Sequence, residues 1–432
     1  MRRMKLSVLD TLTRALPEKL EALSALIQDK AEPEKPEDGK VTLKFIHDIT
    51  TTWDWNDLDP ANPNDTPNLN LMVMGLTLAT NAETTRGAHA WTQTEESLAK
   101  IGFTDFSHHY FEGAEQVDHP AMVFGKSTVT VKGKTVVAAI FRGSSSTEDF
   151  ISDLKAEPGG FHKAGINATN ELKAYLKKQG LTKEDTILFI TGHSYGAASS
   201  SLVGIMSAGA ELAERDSIFC YSFATPNYIR NGLTGEGMKM FSFDSNEDIV
   251  PQVPIGPNLD KTGVCIKYDR IDLQLYHPEK YERFLNLYRY FRERDYDEDY
   301  DFMPVEYSFK TPIRIQVNNK IIRNHMPYTY MSFILAELPD EVAYSYIGER
   351  PGDDAEKTGL LDLEMYVGEV YRLPLVWAIS NQVKLTWASS DESIVSIGDH
   401  GMLSAKAAGD AELTVTTEIG RQFVIPVHEE DD

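Results

Sequence analysis

The sequence predicts an α/β fold with a mainly parallel central sheet, followed by a small C-terminal all-β sandwich domain. Three observations carry this expectation. Continuous apolar runs, Ile187-Leu188-Phe189-Ile190, Ile218 to Phe223 and Met238 to Phe243, have the length of strands buried on both faces. The first runs through Gly192-His193-Ser194-Tyr195-Gly196 into a helical pattern marked by Leu202, Ile205 and Leu212, which is strand, sharp turn, helix. Beyond Leu361 the pattern changes to short alternating runs separated by turns.

A length of 432 residues suggests two or three domains, and 41% hydrophobic with 25% charged residues is ordinary for a globular protein. No apolar run is long enough to span a bilayer as a helix. The net charge of -24 argues against nucleic acid or an anionic membrane as the main partner. Cys220 and Cys265 can pair or remain free thiols; neither a disulfide framework nor a zinc site is expected, and no cofactor or metal is called for.

The domain reading follows from composition. Residues 1–40 hold amphipathic helices, with Leu9, Leu12, Leu16, Leu20, Leu23 and Ile27 at helical spacing, and then a charged, proline-bearing linker; a continuous signal-peptide core is lacking. Residues 41–347 form the α/β domain, with an insertion at 256–320. Residues 348–359 are a second linker, and 360–428 the sandwich. Within the α/β domain, Val41, Leu43 and Phe45 alternate as a strand, and Leu69 to Thr80 reads as a buried helix. Ser127 to Val131 and Thr135 to Phe141 form a hairpin about Lys132-Gly133.

The Gly-x-Ser-x-Gly turn marks Ser194 as a candidate nucleophile. A serine on so tight a turn sits in a strained backbone, and Gly192 and Gly196 must lack side chains for strand and helix to approach. Its Oγ then stands at the carboxyl end of a strand, near a helix N-terminus that favours developing negative charge. The bland alternative is a glycine-rich turn with an incidental serine.

FRGSSSTEDFISDL, then His162-Lys163-Ala164-Gly165, TGHSYGA, FATPN and NEDIVPQVP occur in that order between about Ala121 and Leu338. Together they resemble the class 3 lipase family, α/β-hydrolases typified by fungal triacylglycerol lipases. The resemblance implies an oxyanion hole built from the backbone N–H groups of Ser144 and Tyr195, the latter standing where many members have leucine. It picks Asp248 as the acid that orients the base, with Asp244 in reserve and Glu247 expected to be solvated. The order Ser, Asp, His implied by the fold favours His325 as base over His277 and His193, whose ring should point away from the serine. Thr147 to Leu154 corresponds to the family's lid, unless it is an ordinary surface helix.

Two features of the insertion are read from the residues alone. Tyr281, Phe284, Leu285, Leu287, Tyr288 and Phe291 give a helix with an aromatic face, expected as a cap over the cleft rather than as core. Asp295, Asp297, Asp299, Asp301 and Glu306 are spaced like a calcium loop, but Tyr300 stands where a turning glycine is needed, so a solvated acidic loop is expected.

The C-terminal run WASSDESIVSIGDHGMLSAKAAGDAELTVTT resembles the bacterial immunoglobulin-like group 2 domain, which implies a spacer or adhesive module, contact with a cell surface or polysaccharide, and a secreted or surface location. The expectation for the whole chain is a serine hydrolase of carboxylic esters, with lipid esters or a lipid interface as substrate. A surface-binding protein with an inactive hydrolase domain is the rival.

Overall fold

The structure is a computed structural model that describes residues 39–83, 91–109, 119–143, 158–230, 235–248, 250–252, 259–292, 303–307, 313–317, 323–351, 363–368, 370–372, 385–398, 402–417 and 422–430. The chain divides into two units, 1–40 and 41–432, and only the second is described beyond its boundary.

The core of the second unit is a seven-stranded mixed sheet. In chain order its strands are β1 (Phe103–His109), β2 (Met122–Val131), β3 (Lys134–Phe141), β4 (Thr186–His193), β5 (Ile218–Phe223), β6 (Lys239–Ser245) and β7 (Val264–Tyr268), and they lie side by side in that same order. Strands β3 to β7 are parallel, with Ala139 beside Ile190 and Ile190 beside Cys220. The hairpin β2–β3 and its neighbour β1 run antiparallel at one edge, so the mainly parallel sheet carries an antiparallel end. The hairpin closes through Lys132 and Gly133, both at positive φ (51° and 82°), the backbone twist that two-residue hairpins favour.

Strand periodicity divides the sheet between two cores. Ile187 and Phe189 share one apolar cluster with α1 (Leu69–Glu83), α5 (Pro278–Arg292) and α6 (Pro327–Ala336), whereas Leu188 and Ile190 share the other with α2 (Pro158–Gln179) and α3 (Tyr195–Gly209). Covering both faces is what makes each central strand a continuous apolar run: β4 and β5 are buried throughout. Helix α3 opens with small residues, so it lies close to β5, where Ser200 and Ser201 Oγ bond Ser222 Oγ at 2.8 and 2.9 Å.

The stretch read as an insertion, 256–320, holds a sheet strand and two helices among its described residues. Its residues 264–268 are β7, an edge strand of the central sheet itself, followed by α4 (Arg270–Tyr276). The aromatic helix α5 is core and not a cap: Phe284, Leu287, Tyr288 and Phe291 are buried. The physical reason is a matching aromatic surface. Phe284 lies 4.3 Å, centroid to centroid, from Phe333 of α6, and Phe291 meets Phe45 edge-on at 5.3 Å.

Residues 303–307 and 313–317 pair as an antiparallel hairpin, which places Glu306 in a strand; the other four acids of the calcium-like spacing lie outside the described residues. The two cysteines are free thiols, Cys220 buried and Cys265 exposed. Among the described helices none is long and apolar enough to cross a membrane.

After the second linker, most of which lies outside the described residues, the described elements are strands. Strands β8 (Leu363–Tyr366), β9 (Val370–Arg372), β10 (Leu385–Ser389), β11 (Val395–Ile397), β12 (Met402–Ala405), β13 (Gly409–Thr417) and β14 (Gln422–Glu430) make a four-stranded sheet, β8-β14-β13-β10, and a three-stranded one, β9-β12-β11. Leu403 and Val395 of the smaller sheet share a separate apolar cluster with Leu413, Val415, Ile425 and Val427 of the larger.

Candidate active site

Strand β4 ends where the sequence places its glycines, and each does a distinct steric job. A Cβ on Gly192 would overlap the Gly196 carbonyl, and one on Gly196 would stand 2.5 Å from the Phe141 carbonyl oxygen. Two side-chain-free positions therefore let β3, β4 and α3 converge. Between them Ser194 is held at φ 57°, ψ -126°, a conformation a non-glycine residue adopts at a cost of about 1–3 kcal/mol. Tyr195 opens α3, and its ring is buried 5.5 Å from that of Phe161.

The structure brings three of the residues singled out in the sequence into one hydrogen-bonded line. His325 Nε2 lies 2.8 Å from Ser194 Oγ, and His325 Nδ1 lies 2.8 Å from Asp248 Oδ2. Asp248 is fully buried, and Ser194 and His325 are each 5% exposed. An ionised carboxylate only accepts, so Nδ1 carries the proton and the lone pair of Nε2 faces the serine hydroxyl.

The acid and the base come from loops at the carboxyl end of the sheet. Asp248 follows β6, where its Oδ1 accepts from Val250 N at 2.9 Å. His325 lies in the turn before α6, a helix begun at Pro327 and buried at all ten positions. His193 Nε2 donates to the His325 carbonyl at 2.8 Å, securing the main chain of the base, and its ring lies 4.8 Å from that of His325.

Two acids near Asp248 behave differently from it. Asp244 Oδ2 is paired with Lys261 at 2.5 Å and accepts from Cys265 Sγ at 3.1 Å, away from the histidine. Glu247, expected in solvent, is 5% exposed and ion-paired with Arg270, itself 1% exposed. Burial pushes the Glu247 carboxyl up to about 7, while the guanidinium pulls it down. The cation that accompanies Glu247 into the interior is Arg270, the first residue of α4. His277, at the far end of α4, joins none of these groups by a described contact.

Tyr330 was missed in the sequence. Its hydroxyl donates to Asp248 Oδ2 at 2.6 Å and accepts from Ser245 N at 3.2 Å. Burial first, and the Asp248 charge second, push the phenol well above its usual range, so it remains a donor. The available signal is a tyrosine five residues beyond the candidate base in a mainly apolar helix, since a buried phenol needs a partner.

Ser144 and the 147–154 segment lie outside the described residues. The strand leading to them is described: Phe141 pairs in register with Gly192, and the Arg142 backbone abuts Gly196. Among the described residues no group of three or more His, Cys, Asp or Glu side chains could hold a metal ion.

A family model described as Lipase (class 3) matches residues 130–257, a stretch containing Ser194 and Asp248 and ending before His325, and it supports a lipase-like α/β-hydrolase fold. Among solved structures, the chain is similar to the Rhizomucor miehei triacylglyceride lipase, with 18% identity, coverage of 48% of this chain and 81% of that one, and a TM-score of 0.34. It is also similar to the Lip2 lipase of Yarrowia lipolytica, with 15% identity, coverage of 45% and 76%, and a TM-score of 0.32. No curated protein sequence matches the chain.

Proposed function

We propose that the protein is a serine hydrolase that cleaves carboxylic esters, lipid acyl esters foremost, through an acyl-enzyme. The observation that carries this reading is the unbroken line Ser194 Oγ, His325, Asp248 beside a strained strand-to-helix turn. The match to the class 3 lipase model over 130–257 supports the ester and lipid character of the substrate.

In this mechanism His325 Nε2 takes the hydroxyl proton as Ser194 Oγ attacks the ester carbonyl. Asp248 holds the imidazole in the required tautomer and stabilises the imidazolium. The N–H of Tyr195, at the start of α3, and that of Ser144 receive the tetrahedral oxyanion. His325 then protonates the leaving alcohol. Water, deprotonated by the same nitrogen, attacks the acyl-enzyme and releases the acid.

A fluorophosphonate probe tests the reading directly. The probe should label the native protein on one serine, identified as Ser194 by peptide mapping. A native protein left unlabelled would favour the rival reading of an inactive, surface-binding hydrolase domain.

Tyr330 provides a finer check. Tyr330→Phe removes a donor from Asp248 and an acceptor from Ser245 N while keeping the ring. An unsatisfied buried group costs about 1–3 kcal/mol, so stability should fall by that order. We expect kcat on a short p-nitrophenyl ester to fall about tenfold with KM unchanged, because the acid loses orientation while the substrate surface stays the same. Unchanged kcat in a folded Tyr330→Phe variant would remove the tyrosine from the site.

A further inference from the structure

We propose that Glu247 and Arg270 are a positioning pair, a buried ion pair that locks the loop carrying Asp248 and thereby sets where its carboxylate meets His325. The proposal rests on the ester-hydrolase reading above and assigns a task to the insertion, which supplies Arg270.

Three observations converge on it. The first is burial of both charges, with side chains 3% and 2% exposed. Replacing a buried ion pair by apolar side chains of similar size is often neutral or stabilising, so the pair is weakly accounted for by stability alone. Nη1 and Nη2 of Arg270 have no hydrogen-bond partner among the described residues, which leaves Glu247 as the group that balances its charge.

The second observation is where the loop is tied. Asn246 N donates to the Tyr268 carbonyl at 2.9 Å, and Asn246 Nδ2 to Asp269 Oδ2 at 2.9 Å. Glu247 adds the third tie, to Arg270. Two consecutive loop residues thus grip three consecutive residues at the end of β7 and the start of α4, and the next loop residue is Asp248.

The third observation connects this grip to the base. The Glu247 carbonyl accepts from Asn324 Nδ2 at 3.3 Å, and Asn324 immediately precedes His325. Glu247 therefore adjoins Asp248 in the chain and, through its carbonyl, the residue that precedes His325, while its side chain is held by Arg270. Tyr330 and Val250 N hold the Asp248 carboxylate, but neither joins its loop to Asn324. A displacement of Glu247 would move both halves of the acid–imidazole pair, and displacements of about 1 Å at such sites can cost on the order of a hundredfold in rate.

The test compares Glu247→Gln with the double variant Glu247→Leu/Arg270→Met. Assays run on the alkaline side of about 7, where Glu247 is ionised in the native protein. The single variant strands the guanidinium in the core and can fail to fold; the double variant removes both charges and keeps the volume, so it decides the matter. With a short p-nitrophenyl ester, the expected result is a folded double variant whose melting temperature is close to native, KM within about twofold and kcat reduced about tenfold to a hundredfold. The rate of fluorophosphonate labelling should fall in parallel with kcat. A folded double variant with native kcat would overturn the proposal, as would one in which KM alone rises. A double variant that does not fold would assign the pair to the fold instead. If the native protein itself resists the probe, it is the ester-hydrolase reading that fails.

Discussion

Ser194→Ala is expected to lower ester turnover by on the order of 10⁴- to 10⁶-fold while leaving the fold intact. The magnitude follows from the line of hydrogen bonds. Without the hydroxyl, His325 Nε2 has no nucleophile to deprotonate, and the remaining oxyanion donors act only on water attack, which is much slower. The backbone of residue 194 needs no change, since alanine meets the same left-handed strain as serine. Steady-state hydrolysis of a short p-nitrophenyl ester, with circular dichroism as the control for folding, checks the prediction. A folded Ser194→Ala protein that keeps more than a few per cent of native turnover would show that the chemistry lies elsewhere.

Gly192→Ala is expected to destabilise the protein by about 3 kcal/mol or more, the upper end for an added methyl group in a packed interior. Most overpacked sites yield by rotating a neighbouring side chain. Here the new carbon would collide with the main chain of Gly196, which begins a buried helix, so strand and helix would have to part. Phe141 pairs beside Gly192, and the disturbance would reach the end of β3 as well. Urea denaturation should reveal the loss, and any folded fraction should resist the fluorophosphonate probe. A variant with native stability and native labelling would mean that the turn is less tightly built than described.

How much of this was legible beforehand depends on whether the information is local. The strand, turn and helix around Ser194 are written in adjacent residues: an apolar run, two glycines, then small side chains that let α3 lie on β5. The same holds for the hairpin at Lys132-Gly133 and for the buried helix beginning at Leu69. The position of Asp248 just past a strand end was also readable, as was the order of the three candidate residues along the chain.

Glu247 was misread because it stands in a polar stretch, between Asn246 and Asp248, with no cation beside it in sequence. Its partner lies 23 residues further on at Arg270, and nothing in either local pattern announces the pairing. The aromatic helix was misread for a related reason. Periodicity establishes that Phe284, Leu287, Tyr288 and Phe291 share a face, but not what that face meets, and α6 supplies an equally aromatic partner in Phe333. Tyr330 was not singled out because its hydroxyl finds Asp248 only after a long excursion of the chain, 82 positions.

That excursion has an evolutionary consequence. Asp248 and His325 stand 77 positions apart, yet each is anchored at its own end, one to a central strand and the other to a helix with no exposed face. Lengthening a tether between two fixed posts adds only a logarithmic entropic penalty. The loops of the intervening stretch can therefore lengthen at little cost, whereas β7, Arg270 and α5, which join the sheet, hold the Asp248 loop and pack in the core, leave the same stretch no such freedom.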